Sequence, residues 1–263
     1  MEGRVARISI APVKALHVVN PNEVELGPGG VAGDRRFWLV DADGRLFNDK
    51  HLPQLLRVRA EWDEATRRLA LEFPDGLRVE GVVEPGDPVE PRLYDQPHPS
   101  RAVRGPWQEA LSAYAGEPLT LLWSETGAVD RGVGGGAVTV VSRASLERLR
   151  EEAGVAGSVD GRRFRMLFEI DGVEPHEEDE WIGRRVEIGD AVVAPVGDVG
   201  RCAVTTKNPD TGETDLDTLG TLAAYRREGR TEPLPFGVHA AVVQPGRVRV
   251  GDAVRPLPVP VRA

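Results

Sequence analysis

At 263 residues, 40% of them hydrophobic, the chain is long enough to bury one large or two small cores. Its net charge of −9 argues against nucleic acid or an anionic membrane as partner, so any anionic ligand has to be met by cations gathered locally. A single cysteine excludes an intrachain disulfide, a cysteine-rich metal cage and a cysteine-held iron–sulfur cluster.

The start, Met1-Glu2-Gly3-Arg4-Val5, has no apolar stretch behind a basic head. No later run approaches the roughly 18 apolar residues of a membrane span, so the expectation is a soluble cytoplasmic protein. Val5 to Val13 is strand-like, and Val24-Glu25-Leu26 runs into the hard turn Gly27-Pro28-Gly29-Gly30. Arg36 to Val40, the turn Asp41-Ala42-Asp43-Gly44 and Arg45 to Phe47 form a hairpin; the turn lacks the later ligands of a calcium loop. A second hairpin pairs Val58 to Trp62 with Arg68 to Phe73, and Leu77 to Val83 adds a strand.

The proline-rich stretch from Pro85 to Pro106 predicts a boundary between an N-terminal β domain, 1–95, and a linker, 96–135. Within that linker Trp107 to Ala115 reads as a short helix and Leu119 to Trp123 as a strand. Gly132-Val133-Gly134-Gly135-Gly136 precedes a strand with no helix directly after it, which favours a mobile loop over a nucleotide loop. In 136–263, Ala137 to Val141 is a strand. Ser142 caps a helix carrying Leu146, Leu149 and Ala153 on one stripe, and Gly154 stops it. Phe164 to Ile170 reads as a strand. The acidic run Glu174 to Trp181 reads as a solvated face and not as a metal site at His176. Arg185 to Val192 is echoed by Arg247 to Val254, each a strand, a Gly-Asp turn and a strand, as at similar corners of one closed barrel. Leu216 to Arg227 is helical. Many short strands and few helices predict a mainly β fold: a β-barrel-like N-terminal domain and a second β-barrel with a few peripheral helices.

The chemistry centres on Gly200-Arg201-Cys202-Ala203-Val204-Thr205-Thr206-Lys207-Asn208-Pro209-Asp210-Thr211-Gly212. A lone thiol is a buried hydrophobe, an activated nucleophile, or one thiolate completing a metal site whose other ligands come from a cofactor. Arg201 favours the thiolate, the β-branched Val204-Thr205-Thr206 reads as a strand end, and the turn formers beyond place Cys202 near the mouth of a sheet.

This segment resembles the signature of the MOSC family, and most of all the branch of the amidoxime-reducing components. Pro12-Val13-Lys14, Asp34-Arg35-Arg36-Phe37-Trp38-Leu39-Val40, Phe164-Arg165, the acidic loop ending in Trp181, Tyr225-Arg226, Phe236-Gly237 and Val250-Gly251-Asp252 are similar to further family motifs in the family's order. The resemblance implies an N-terminal MOSC-associated β domain before a MOSC barrel, and a molybdenum cofactor with Cys202 as molybdenum ligand and catalytic residue. It places Lys14, Arg36, Ser142, Arg165, Arg201 and Thr205 around the cofactor. It further implies reduction of small N-hydroxylated substrates with electrons from a separate donor protein. The alternatives are a sulfur carrier holding a Cys202 persulfide, without a pyridoxal-phosphate domain in this chain, or a binding module that has lost catalysis. Three positions depart from the family pattern: Ala15 for a serine, Met166-Leu167 for Pro-Asn, and Lys50 where arginine is usual.

Overall fold

Alternating apolar residues close the C-terminal half of the chain, with one strand from the first residues, into a barrel, in a computed structural model that describes residues 2–94, 96–130 and 136–258. All but the last residue of the glycine loop 132–136 lies outside the described residues. Seven strands make the barrel, in the order Gly3–Ile8, Phe168–Asp171, Val138–Ser142, Pro235–Gln244, Ala191–Gly200, Val186–Ile188 and Ala253–Pro256. Val5, Ile8, Val140, Phe168, Ile170, Val193, Val238 and Val254 point inward and are almost fully buried, as period-two patterning requires. Val138–Ser142 runs parallel to Phe168–Asp171, with Val140 opposite Phe168. A parallel pair needs a crossover, and its helix is Arg143–Ala153, capped by Ser142 and ended by left-handed Gly154 as expected.

The first half folds around a separate core. Leu46–Phe47, Phe37–Val40, Thr120–Ser124, Ser100–Arg104 and Glu84–Val89 form a five-stranded sheet, and Arg59–Asp63, Arg68–Glu72 and Arg78–Val82 a three-stranded one. Phe37, Leu39, Leu69, Leu71, Leu121 and Trp107, from helix Trp107–Ala115, pack in one cluster. The Trp107 Nε1 donates to Leu69 O at 3.1 Å, so the indole is buried with its polar atom satisfied.

The sheets do not divide the chain at 95/96 and 135/136. Ser100–Arg104 and Thr120–Ser124, expected in a linker, are interior strands of the first sheet, and Gly3–Ile8, expected in the first domain, is a stave of the second barrel. Arg4 pairs with Asp171 on one side and Ala253 on the other. The echoed segments meet each other: Ile188 lies opposite Val254, and Asp190 N donates to Arg247 O at 2.9 Å. Their fourth strand, Gly246–Arg249, leaves the barrel and pairs with Glu23–Gly27.

Four local expectations are corrected. Only Phe168–Asp171 is strand in the 164–170 segment, because Gly161–Phe164 is a 3-10 turn and Arg165 is left-handed at φ 54°. Ala203–Thr206 is likewise a 3-10 turn, not a strand end. The acidic run folds into the 3-10 turn Glu177–Trp181, which buries Glu178 completely. Thr218–Tyr225 is the last helix, shorter than its sequence pattern. No helix among the described residues is long and apolar enough to cross a membrane.

Candidate cofactor site

Strand Ala191–Gly200 delivers Cys202 to the rim of a cavity of about 510 Å3 lined by both halves of the molecule. Cys202 is exposed and forms the N-cap of the Ala203–Thr206 turn. The Thr205 backbone N–H and Oγ1 both donate to Cys202 O, at 3.1 and 3.0 Å, and Thr205 Oγ1 meets Thr218 Oγ1 at 2.8 Å. Beneath them the buried Arg163 donates to Thr205 O at 3.1 Å, to Lys207 O at 3.0 Å and to Asp215 Oδ1 at 3.0 Å. A loop rich in turn formers thereby becomes a fixed seat for an accessible sulfur. Arg201 points back, donating to Phe236 O at 3.0 Å and Phe164 O at 3.1 Å, with its guanidinium over the Phe164 ring.

The opposite wall carries Lys14, Arg35 and Lys50. Lys14 is 8% exposed; it ion-pairs with Asp130 and lies 5.3 Å from the centre of the Tyr94 ring. Burial works against its charge, yet Asp130 and Tyr94 outweigh that and raise its pKa above the ordinary lysine value. Arg35 is held by Asp34 and sits 3.3 Å from Asp130, and it donates to the carbonyl of Arg165. Six cationic side chains against two carboxylates line the cavity among the described residues, in a chain whose net charge is −9. That local reversal of sign selects anions.

Arg165 is the telling member. Its Nη2 is buried without a hydrogen-bond partner among the described residues, and burial pushes its pKa down against the opposing pull of Asp49. A buried guanidinium with an unmet donor is costly until an acceptor arrives. Asp49 is itself buried, which pushes its carboxyl pKa up despite Arg165 and Lys14.

Five of the residues expected at the site converge on this cavity: Lys14, Arg165, Arg201, Cys202 and Thr205. Two do not. Arg36 stacks on Trp123, 4.9 Å from the ring centre, because the backbone turns left-handed at Arg35 (φ 47°) and it is Arg35 that reaches the cavity. Ser142 is fully buried, its hydroxyl accepting from Ser145 N as the cap of Arg143–Ala153. His176 packs against Tyr225 and Phe236; burial, then Arg226 and Arg148, lower its pKa to about 3. No group of three or more metal-ligating side chains occurs among the described residues.

Sequence reasoning missed Arg35, Asp49, Asp130 and Arg163. Asp34-Arg35-Arg36 offered two arginines to choose between, and the other three carry no local signal. The family departures are mild here. Lys50 keeps a cation in the cavity, Leu167 points into the barrel core, and Ala15 lines the cavity in a left-handed conformation at φ 73°. An unmet guanidinium, surplus positive charge and an exposed thiol in one cavity fit a phosphate-bearing cofactor with a soft metal.

The MOSC N-terminal beta barrel domain matches residues 2–92 and the MOSC domain residues 129–255. Mitochondrial amidoxime-reducing component 1 of Mus musculus is 28% identical over 300 residues, covering 96% of this chain and 82% of that protein. The human protein of the same name is 27% identical over 293 residues, with the same coverage. Molybdenum cofactor sulfurase of Oryza sativa subsp. japonica is 26% identical over 255 residues; they make up 84% of this chain but 30% of that much longer protein. With the two domains matched in order on the two halves that share the cavity, the chain belongs to the MOSC family.

Proposed function

We propose that the chain binds molybdenum cofactor and reduces N-hydroxylated compounds in the cytoplasm, using electrons from a separate donor protein. The observation that carries this reading is the exposed Cys202 in the same cavity as the unmet Nη2 donor of Arg165. The names of the relatives supply both the cofactor and the substrate class. When bound, the cofactor contributes a metal able to change oxidation state by the two electrons that an N–O reduction consumes.

The protein does the rest. Cys202 offers a thiolate ligand, and Thr205 with Arg163 beneath it fixes that thiolate's position. Lys14, Arg35, Lys50 and Arg165 hold the anionic part of the cofactor by charge-assisted hydrogen bonds. Val129, Phe164, Met166 and Val199 give the cavity apolar walls that limit water beside the reacting group. Releasing the substrate oxygen as water takes up two protons, and Asp49, whose carboxyl pKa burial raises, stands at the cavity wall as the acid nearest to hand.

Expressed in a host that makes the cofactor, the protein should carry about one molybdenum per chain and turn over benzamidoxime with a chemical electron donor. Stoichiometric zinc, or no metal, would count against the reading. An exposed Cys202 and the sulfurase relative also favour a persulfide carrier; cyanide-releasable sulfur on metal-free protein distinguishes that case.

A further inference from the structure

The two carboxylates that touch Arg35 differ in kind. Asp34 is 4% exposed, and besides Arg35 it accepts from Ala11 N at 2.8 Å, so it is built into the wall. Asp130 bridges Lys14 and Arg35, yet its side chain is 31% exposed while those of Lys14 and Arg35 are 10% and 11%. Of the three partners its side chain is the nearest to water. The residue before it is fixed, since Val129 is buried and its N–H donates to Arg35 O at 3.0 Å. Lys14 is fixed too, its N–H donating to Phe37 O at 2.7 Å. If the Asp130 carboxylate turns away, Lys14 loses its ion pair, Arg35 keeps only Asp34, and the Nη2 of Arg165 stays unmet.

We propose that Asp130 is an internal counter-anion that occupies the cavity's anion position, so that only a ligand group carrying two negative charges takes the position over. An attached carboxylate competes at an effective concentration in the millimolar range. A monoanion that replaces it exchanges like for like and still loses translational freedom. A phosphate dianion brings a second charge and three strong acceptor oxygens, enough to engage Lys14, Arg35 and Arg165 together. Asp130 thus sets a charge threshold that keeps common carboxylate metabolites out. This inference rests on the cofactor reading only for the identity of the phosphate that enters.

The test uses metal-free protein, titrated calorimetrically with inorganic phosphate and with acetate at pH 7.5. Wild type should bind phosphate and show no heat with acetate. Asp130→Asn should bind phosphate about tenfold more tightly, the scale of one charge-assisted hydrogen bond, and should acquire measurable acetate binding. Asp130→Ser should do the same and stands in if the amide folds poorly. Asp34→Asn should not tighten phosphate binding. Wild type binding acetate as well as phosphate, or both Asp130 variants binding phosphate no more tightly than wild type, overturns the proposal. No step needs molybdenum or turnover. Loss of the cofactor reading with tightening intact leaves the inference standing, and active, loaded protein without tightening sinks it alone.

Discussion

Two clusters of polar side chains lie inside this molecule, and they are built to opposite plans. Around Glu178 the network is closed: Oε1 accepts from Ser142 N at 3.2 Å and from Ser145 Oγ at 2.9 Å, and all three residues are fully buried. Burial pushes the Glu178 pKa up to about 7, so at neutral pH about half the charge is shed, and the cluster lives with one idle oxygen, Oε2. Around Lys14, Arg35 and Arg165 the network is open at Arg165 Nη2, and a guanidinium cannot discard its charge in the same way. A carboxyl can neutralise itself inside a fold, whereas a guanidinium has to be answered by an anion. The first cluster therefore stabilises structure and the second waits for a ligand. Ser142, which by family resemblance would hold cofactor, belongs to the first.

The sharpest way to break this contrast is Cys202→Ala. Turnover of N-hydroxylated compounds should fall to background, while the melting temperature of the metal-free protein should move by no more than about 2 °C, because an exposed sulfur leaves no cavity. Wild-type turnover in the variant removes Cys202 from the site.

Next comes a matched pair. Arg165→Ala should weaken cofactor retention by about 1.5–3 kcal/mol, the loss of charge-assisted contacts. Arg36→Ala should lose only its stacking on Trp123, about 0.5–1 kcal/mol of stability, with cofactor content unchanged. Metal content and thermal unfolding of both variants read the two effects separately; reduced cofactor in Arg36→Ala would restore the placement that the sequence suggested.

The smallest effect concerns pH. The folded pKa of Glu178 lies above its ordinary value of 4.5, so its contribution is fully present below pH 4.5 and is lost as pH rises through about 7. Between pH 5 and pH 8 wild type should lose on the order of 2 kcal/mol more stability than Glu178→Gln, measured by denaturant unfolding. Equal losses in both proteins would mean that this carboxyl is ionised in the fold.

Much of this was legible in the sequence, for local reasons. The helix Trp107–Ala115, the Ser142 cap, the Gly154 stop and both early hairpins follow from short-range rules of capping and alternation. The Pro85 to Pro106 stretch misled because Glu84–Val89 is the edge of its sheet, where prolines lack no partner. Glu178 looked solvated because its partners, Ser142 and Ser145, lie more than thirty residues away. Arg35 and Arg36 could not be ranked until the left-handed turn at Arg35 showed which one reaches the cavity. Asp130 and Asp49 had no signal at all, since their meaning is set by the cations beside them.

The stave Gly3–Ile8 carries one more consequence. Its neighbours Phe168–Asp171 and Ala253–Pro256 lie some 160 and 250 residues away along the chain. Closing the barrel is therefore a long-range event with a large loop entropy. The Trp107 core, whose strands all come from 37–124, closes over shorter loops and can assemble first. A fragment beginning at 136 would lack that stave and present two bare strand edges, a template for aggregation in place of a free-standing domain.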